Sequence, residues 1–393
     1  MTGAAVLGRY EAALMQTFGT PPRVLVRGEG SWVWDADGVR YLDLLAGIAV
    51  NSLGHAHPRL VDAIAEQAGR LMHVSNLFTS VEQVALAERL DALVAGDSGL
   101  TARTFLTNSG TEANEAALKL TRLTGRPRVV AMEGSFHGRT LGALSLTATA
   151  AYREPFAPLP GNVTWVPYGD LDALAGALGD DVAAVVVEPI QGESGVVMPP
   201  AGWLAGVRAS CDRHGALLWA DEVQTGVGRC GWWLASSAEG VLPDVVTFAK
   251  GLGGGFPVGA CVALGHAAGL LQAGHHGSTF GGNPLASRAA LTVLDVIETD
   301  GLLAHARDTG DWLAASIEGL GLPEISHVRG RGLLRAVVLN QPTSKAIAAA
   351  ALEAGFIVNA PRPDALRLAP PLVIGRDDLQ VFVDALPSLV AAR

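Results

Sequence analysis

The chain has 393 residues, of which 49% are apolar and 17% charged, and carries a net charge of −10. This composition describes a globular protein with a large core and excludes a disordered chain, and the length asks for two domains or one elaborated domain. The acidic balance, with no basic block, argues against nucleic acid or an anionic membrane as the main partner, and no apolar run approaches the ~20 residues of a membrane span. The first residues, MTGAAVLGRYEAAL, lack a charged region followed by a long apolar one, so no signal peptide is expected. Residues 23–45 alternate apolar and polar side chains around two turn signals, GEG and Asp37-Gly38, which predicts a small antiparallel meander.

From about residue 100 to 265 the pattern changes to short apolar runs alternating with helical stretches. The runs are RTFLTN, RVVAME, AAVVVEP, ALLWADE, DVVTFAK and GACVAL. Because they lack polar alternation, they predict strands covered on both faces, as in a parallel sheet with helices on each side. The cysteines, Cys211, Cys230 and Cys261, are odd in number and widely spaced, which predicts no disulfide framework and a reducing, cytoplasmic setting. Cys211 and His214 have no second pair to close a zinc site and are expected as ordinary helix residues, so no metal is expected. After about residue 285 come Ala/Leu-rich helices, then the strands GLLRAVVL, FIVNA and ALRLAP and a last helix, DDLQVFVDALPSLV, which predict an α+β unit.

Ligands of open parallel sheets bind beyond the carboxyl ends of the strands. Those ends here deliver Asn108-Ser109-Gly110-Thr111-Glu112, Glu188, Asp221-Glu222 and Lys250. Ser109 followed by Glu112 predicts a capping box, opening a helix with Ala113, Ala116, Ala117 and Leu120 on its buried stripe. A glycine in that turn would expose N–H groups at a helix terminus, a phosphate site, and a plain capped helix explains the same residues. Neither a Walker loop nor a dinucleotide fingerprint is present. Lys119, four residues after Glu115, is expected to form an ordinary exposed ion pair.

Lysine is scarce: Lys119, Lys250 and Lys345 are three of the 28 basic residues. A lysine buried among apolar residues would lose its proton and become nucleophilic. A buried strand-end aspartate needs a cationic partner, and a protonated pyridine nitrogen is one. An amine, a carboxylate and a phosphate cradle together are what pyridoxal 5′-phosphate requires. Phe136, after the strand RVVAME, could stack on a flat ring or serve the core. The glycines of GLGGGFPVG would let the chain turn tightly beside such a ring.

With these segments in order, the chain resembles the class III pyridoxal-phosphate aminotransferases of fold type I, and within them the acetylornithine aminotransferases. The matching segments run from GIAVNSLGHAHP and HVSNLFTS through NSGTEANEAALKLTR, GSFHGRTLGALS, VVVEPIQGESGV, LLWADEVQTGVGRCG, TFAKGLGGGFPVGA and HHGSTFGGNPLAS to LRLAPPLVI. The resemblance implies an α/β fold whose large domain, residues 47–288, holds a mostly parallel seven-stranded sheet. A smaller α+β domain would comprise residues 289–393 together with the N-terminal segment 1–46. It implies that Lys250 bonds to the cofactor aldehyde and shuttles the proton, and that Asp221 pairs the pyridine nitrogen. Gln224 would sit near the ring hydroxyl, with Glu222 and Val223 beside it. Phe136 would stack on the ring, and Glu188 would support the site from behind the substrate. Gly110 and Thr111 would hold the phosphate, joined by Thr279 from the other subunit of a homodimer with shared active sites.

By the same resemblance, Arg139 would clamp the α-carboxylate of an acylated ornithine, and Arg367 that of glutamate or 2-oxoglutarate, with Ser278 also at the substrate. Glu193 would pair with Arg367 when an amine enters without a carboxylate to meet it. Taken alone, Arg139 also fits a surface residue, Arg367 a strand salt bridge, and His137 either a ring neighbour or a structural imidazole. His55 and His57 are expected to shape a turn before Pro58. Where many ornithine aminotransferases carry a tyrosine that contacts free ornithine, this chain has Ile48, which suits an acylated nitrogen.

The implied reaction moves the δ-amino group of N-acetylornithine to 2-oxoglutarate, giving N-acetylglutamate 5-semialdehyde and glutamate in arginine biosynthesis. Succinylornithine, succinyl-diaminopimelate, carrier-bound lysine precursors, ornithine and 4-aminobutyrate are alternative donors on the same scaffold. A non-catalytic pyridoxal-phosphate-binding regulator would need a DNA-binding element, and neither end of the chain supplies a basic helix-turn-helix. A nucleotide-binding oxidoreductase or ligase would need the missing fingerprints.

Overall fold

The computed structural model describes residues 2–391. The predicted meander is present as β1 (Leu25–Glu29), β2 (Trp32–Asp35) and β3 (Arg40–Asp43). Asp35 fastens its second turn by accepting bonds from the Asp37 and Val39 amides at 3.0 and 2.8 Å and from the Tyr41 hydroxyl at 2.8 Å.

The largest sheet contains β4 (Ala102–Thr107), β5 (Arg128–Met132), β6 (Val163–Val166), β7 (Val182–Val187), β8 (Leu217–Asp221), β9 (Val245–Phe248) and β10 (Gly259–Leu264). Its strand order is β4-β10-β9-β8-β7-β5-β6. The sheet is seven-stranded and mostly parallel, as the resemblance implies, but two features could not be read from the apolar runs. The apolar run GACVAL, which forms β10, lies antiparallel to both β4 and β9. The strand β6 is additional: VTWV is a short, half-exposed edge strand paired to β5. An unbroken apolar run reports burial on both faces but not direction.

Alternation within the strands sorts the core into two layers. Val129, Ala131, Ala184, Val186 and Trp219 pack against Ala116, Ala117 and Leu120 of the helix Gly110–Arg122. Val130, Met132, Val185, Val187 and Leu218 face the other way, onto Trp203, Val207 and Cys211 of the helix Trp203–His214. The three cysteines are free and buried, and among the described residues no cluster of ligands could hold a metal ion.

A third, antiparallel sheet has the order β11 (Ile325–Arg331), β12 (Leu334–Leu339), β15 (Ala365–Leu368), β14 (Asn359–Arg362). The two-residue β13 (Phe356–Ile357) instead pairs in parallel with β3, joining the N-terminal meander to the C-terminal part of the chain. Strand β11 was not foreseen, because ISHVRGR carries charge and glycine in place of an apolar run. No helix among the described residues is long and apolar enough to cross a membrane.

Candidate active site

Strands β4, β7, β8 and β9 run in one direction, so their carboxyl ends meet at one rim. A cavity of about 420 Å³ opens there, and Ser109, Gly110, Glu188, Asp221 and Lys250 all line it. Residues from four separate segments thus converge on one volume.

Ser109 caps the helix Gly110–Arg122 as expected, accepting the Glu112 amide at 3.3 Å. The reciprocal bond differs from a capping box, because Glu112 reaches one residue further back, to the Asn108 amide at 2.7 Å. The amides of Gly110 and Thr111 head the helix, where no earlier carbonyl can serve them, so they are free to meet an anion. A Cβ on Gly110 would approach Val223 Cγ1 to 2.8 Å, so the terminus comes this close to the β8 loop only as glycine.

Asp221 is buried and held from two sides, by His137 Nδ1 at 2.7 Å and Asn114 Nδ2 at 2.8 Å, while the Val223 amide donates to its other oxygen at 3.1 Å. Burial alone would lower the His137 pKa, but the bond to Asp221 and the charges of Asp221 and Glu188 outweigh it and raise it. Two buried atoms of this group, His137 Nε2 and Asn114 Oδ1, have no partner. Asn114 was not singled out in the sequence. Its signal is a polar residue on a helix buried on several faces, next to the alanine stripe.

Lys250 opens the short turn Lys250–Gly253 with φ 42°, a left-handed conformation costly for any residue with a Cβ. Burial lowers its pKa, and Arg367 adds to this, against the opposing charges of Glu193, Glu188 and Asp221. Glu188 is pushed the other way, up to about 7, chiefly by burial. Its carboxylate accepts the Phe136 amide at 2.9 Å and the Gly192 amide at 3.1 Å, tying two loops together behind the cavity.

Phe136 and Arg139 also line the cavity. Arg367 is fully buried and donates to Glu193 at 2.6 Å, to Gln224 Oε1 at 3.2 Å and to Asn359 Oδ1 at 2.7 Å. Burial pushes the Glu193 carboxyl up, but Arg367, Lys250 and the Gln224 amide together hold it below the usual range. Glu193 and Gln224 face the cavity and Arg367 stands directly behind them.

Several expected residues lie elsewhere. Glu222 turns away from the cavity, because successive residues leave a strand on opposite faces. Its carboxylate accepts from Thr225 and from the Ala235 and Ser236 amides. Thr279 is exposed and Ser278, half-buried, bonds to Asn108 and Gly281, with neither lining this chain's own cavity. Lys119 donates to the His275 carbonyl at 2.6 Å instead of pairing with Glu115, which caps the helix Leu141–Leu146 through the Gly142 and Ala143 amides. Ile48 is half-buried in a kinked left-handed segment, and the nearby cavity residue is Val50. His57 precedes Pro58 at the start of a helix, and His55 pairs with Asp43 at 2.8 Å.

The donor set suits pyridoxal phosphate: a buried amine whose pKa is lowered, a buried carboxylate for a ring cation, open amides for a phosphate and an aromatic side chain at the same cavity. A doubly wound sheet with such a rim defines a class of enzymes that handle amino groups. The chain matches the aminotransferase class-III description over residues 15–390 and belongs to that family. It is 54% identical over 391 residues to an acetylornithine aminotransferase of Streptomyces coelicolor, covering 99% of this chain and 96% of the relative. Among solved structures it is similar to the N-acetylornithine aminotransferase of Stenotrophomonas maltophilia K279a, with TM-score 0.83, 36% identity and 98% of each chain covered. The ornithine aminotransferase of Toxoplasma gondii ME49 superposes with TM-score 0.93 at 32% identity, covering 100% of this chain and 97% of that one.

Proposed function

We propose that the protein transfers the δ-amino group of N-acetylornithine to 2-oxoglutarate, giving N-acetylglutamate 5-semialdehyde and glutamate, with pyridoxal 5′-phosphate as cofactor. The observation that carries this reading is the convergence of Lys250, Asp221 and the open helix terminus at Gly110 on one cavity. The match to acetylornithine aminotransferases over nearly the whole chain supports the choice of donor.

When bound, the cofactor supplies an aldehyde to take up the amino group and a ring that draws electrons from the neighbouring carbon. Lys250 Nζ, whose pKa burial lowers, would hold that aldehyde and would move the proton at the donor's δ-carbon. Asp221, oriented by His137 and Asn114, would stabilise the ring cation. The Gly110 and Thr111 amides would hold the phosphate and Phe136 would contact the ring. Gln224 and Val223 line the same cavity, while Glu188 fixes the loops of Phe136 and Gly192.

Arg139 binds the donor's α-carboxylate through a planar guanidinium that matches it bidentately. Glu193 neutralises Arg367 while the δ-amine is in place, then yields it to the α-carboxylate of 2-oxoglutarate. Two substrates thus use one cavity in turn, which implies ping-pong kinetics. The protein works as a cytoplasmic homodimer in which Thr279 of one copy completes the site of the other, with Ser278 at the substrate. The parallel pairing of β3 with β13 supports grouping residues 1–46 with 289–393 as a small domain, leaving 47–288 as the large one.

Lys250→Ala tests the reading. It is expected to abolish turnover of N-acetylornithine with 2-oxoglutarate and to lose the cofactor on dialysis, and retention of wild-type turnover would refute it. Comparing kcat/KM for acetylated, succinylated and free ornithine tests the donor, with the acetylated compound expected to lead.

A further inference from the structure

Arg139 and Arg367 are held in opposite ways. Arg367 is gripped by a carboxylate and two amides and is fully buried. Arg139 is exposed and enters none of the ion pairs found among the described residues. Its guanidinium carbon lies instead 3.8 Å from the ring centroid of Tyr152 and 5.3 Å from that of Phe136. The two rings meet edge to face, with centroids 6.5 Å apart and planes at 90°.

An aromatic face holds a guanidinium through the ring quadrupole and leaves its N–H donors free. A carboxylate in the same place would consume those donors and compete with an incoming acid. For an arginine that must remain open to a carboxylate in every turnover, a ring is the holder that does not have to be displaced.

Tyr152 is 38% exposed, and its backbone N–H donates to the Thr149 carbonyl at 3.1 Å. It sits on the one-turn helix Ala150–Arg153, where the next residue, Arg153, stacks over Trp165 with its guanidinium carbon 4.0 Å from the ring. Arg153 also donates to the Ala148 carbonyl at 3.3 Å, and Trp165, on edge strand β6, donates to the Leu146 carbonyl at 3.1 Å. The segment that carries Tyr152 is thus tied to the edge of the large sheet through Arg153 and Trp165, and the Tyr152 ring lies against Arg139.

We infer that Tyr152 is a positioning residue for donor binding: its ring holds the Arg139 guanidinium at the cavity with its hydrogen-bond donors available to the donor's carboxylate. The inference rests on the reading of Arg139 as that clamp. Without the ring, the guanidinium is free to swing into solvent, and the donor must pay to order it again. The chemistry at Lys250 is untouched, so the effect falls on KM and spares kcat.

The test uses the cofactor-loaded full chain with Tyr152→Leu, Tyr152→Phe and Arg139→Ala. Tyr152→Leu is expected to raise KM for N-acetylornithine by roughly two- to fivefold, the range of an exposed cation–π contact, with kcat unchanged. Tyr152→Phe keeps the ring and restores most of the affinity. Arg139→Ala raises the same KM at least as far. If Arg139→Ala raises KM while Tyr152→Leu does not, or if Tyr152→Leu lowers kcat with KM unchanged, the positioning role is overturned and the clamp stands. Failure of Tyr152→Phe to restore KM also overturns the role, because the ring would not be what matters. If Arg139→Ala leaves the donor's KM unaltered, the clamp and the inference fall together.

Discussion

Glu188 and Lys250 share one cavity, and burial drives each toward its uncharged form, the acid upward to about 7 and the amine downward. For Glu188 the consequence is a pH dependence of stability. Between its ordinary value of 4.5 and about 7, the folded chain holds a proton here that the unfolded chain has released. This group's contribution is therefore fully present below 4.5 and is lost as pH rises through about 7. Glu188→Gln keeps the shape and removes the titration. The difference in melting temperature between wild type and Glu188→Gln, measured without cofactor from pH 5 to 8, should change in favour of the variant as pH rises. A difference that stays flat would mean that Glu188 is already ionised in the folded chain. At Glu193 the expected effect is on substrate choice. Glu193→Gln removes the anion that competes for Arg367, so KM for 2-oxoglutarate should fall. KM for N-acetylornithine should rise by about tenfold, because an unneutralised guanidinium then faces its chain; tenfold is the lower end of a charge-assisted bond's worth. Unchanged KM values for both substrates would count against the exchange.

At the level of elements, direction and sidedness set the limit on what could be read in advance. The six apolar runs of the large sheet are all strands, because each is short, unbroken and bounded by turn residues. That β10 runs backward was hidden, since Gly259 to Leu264 is buried on both faces like the parallel strands β7, β8 and β9. Edge strand β6 and the charged β11 were hidden for the opposite reason, having too little apolar patterning to register. In the site, the strand-end groups Glu188, Asp221 and Lys250 were legible, because topology alone brings strand ends together. The contacts of Asn114 and His137 with Asp221 were not, because the first depends on how the helix Gly110–Arg122 is rotated over the sheet and the second on the path of the loop after β5. One close approach between elements allows a stability test. A Cβ on Gly310, in the helix Leu302–Gly319, would fall on the Gly332 carbonyl in the turn between β11 and β12. That turn is clasped by Arg229, which donates to the Leu333 carbonyl at 3.0 Å. A backbone atom so held cannot move aside, so Gly310→Ala should cost about 3 kcal/mol, the upper end of overpacking, in urea denaturation. A cost under about 0.5 kcal/mol, typical of surface substitutions, would show that the turn gives way.

At the scale of the whole molecule, one group of exposed apolar side chains lies beside the loop that carries Thr279. Leu77 is 87% exposed, Phe78 73% and Phe280 59%. Their segments are bound together, since Asn76 donates to the Ser278 carbonyl at 2.6 Å and His73 packs on Phe280 with ring centroids 5.2 Å apart. Single exposed apolar residues are ordinary, but a contiguous group next to an exposed threonine expected at a phosphate calls for a covering surface. A second copy related by a twofold axis would cover the group and bring each Thr279 toward the other copy's helix terminus at Gly110. Two substitutions separate the interface from the shared site. Leu77→Glu with Phe78→Glu places two charges on the patch and should yield a monomer in sedimentation at micromolar concentration, with weakened retention of pyridoxal phosphate. Thr279→Ala should remain a dimer and release the cofactor more readily, because it removes one hydrogen bond to the phosphate and leaves the patch intact. A monomeric double variant that keeps its cofactor and full turnover would show that each copy completes its own site. The isolated cavity would then have to bind the phosphate with the Gly110 and Thr111 amides alone.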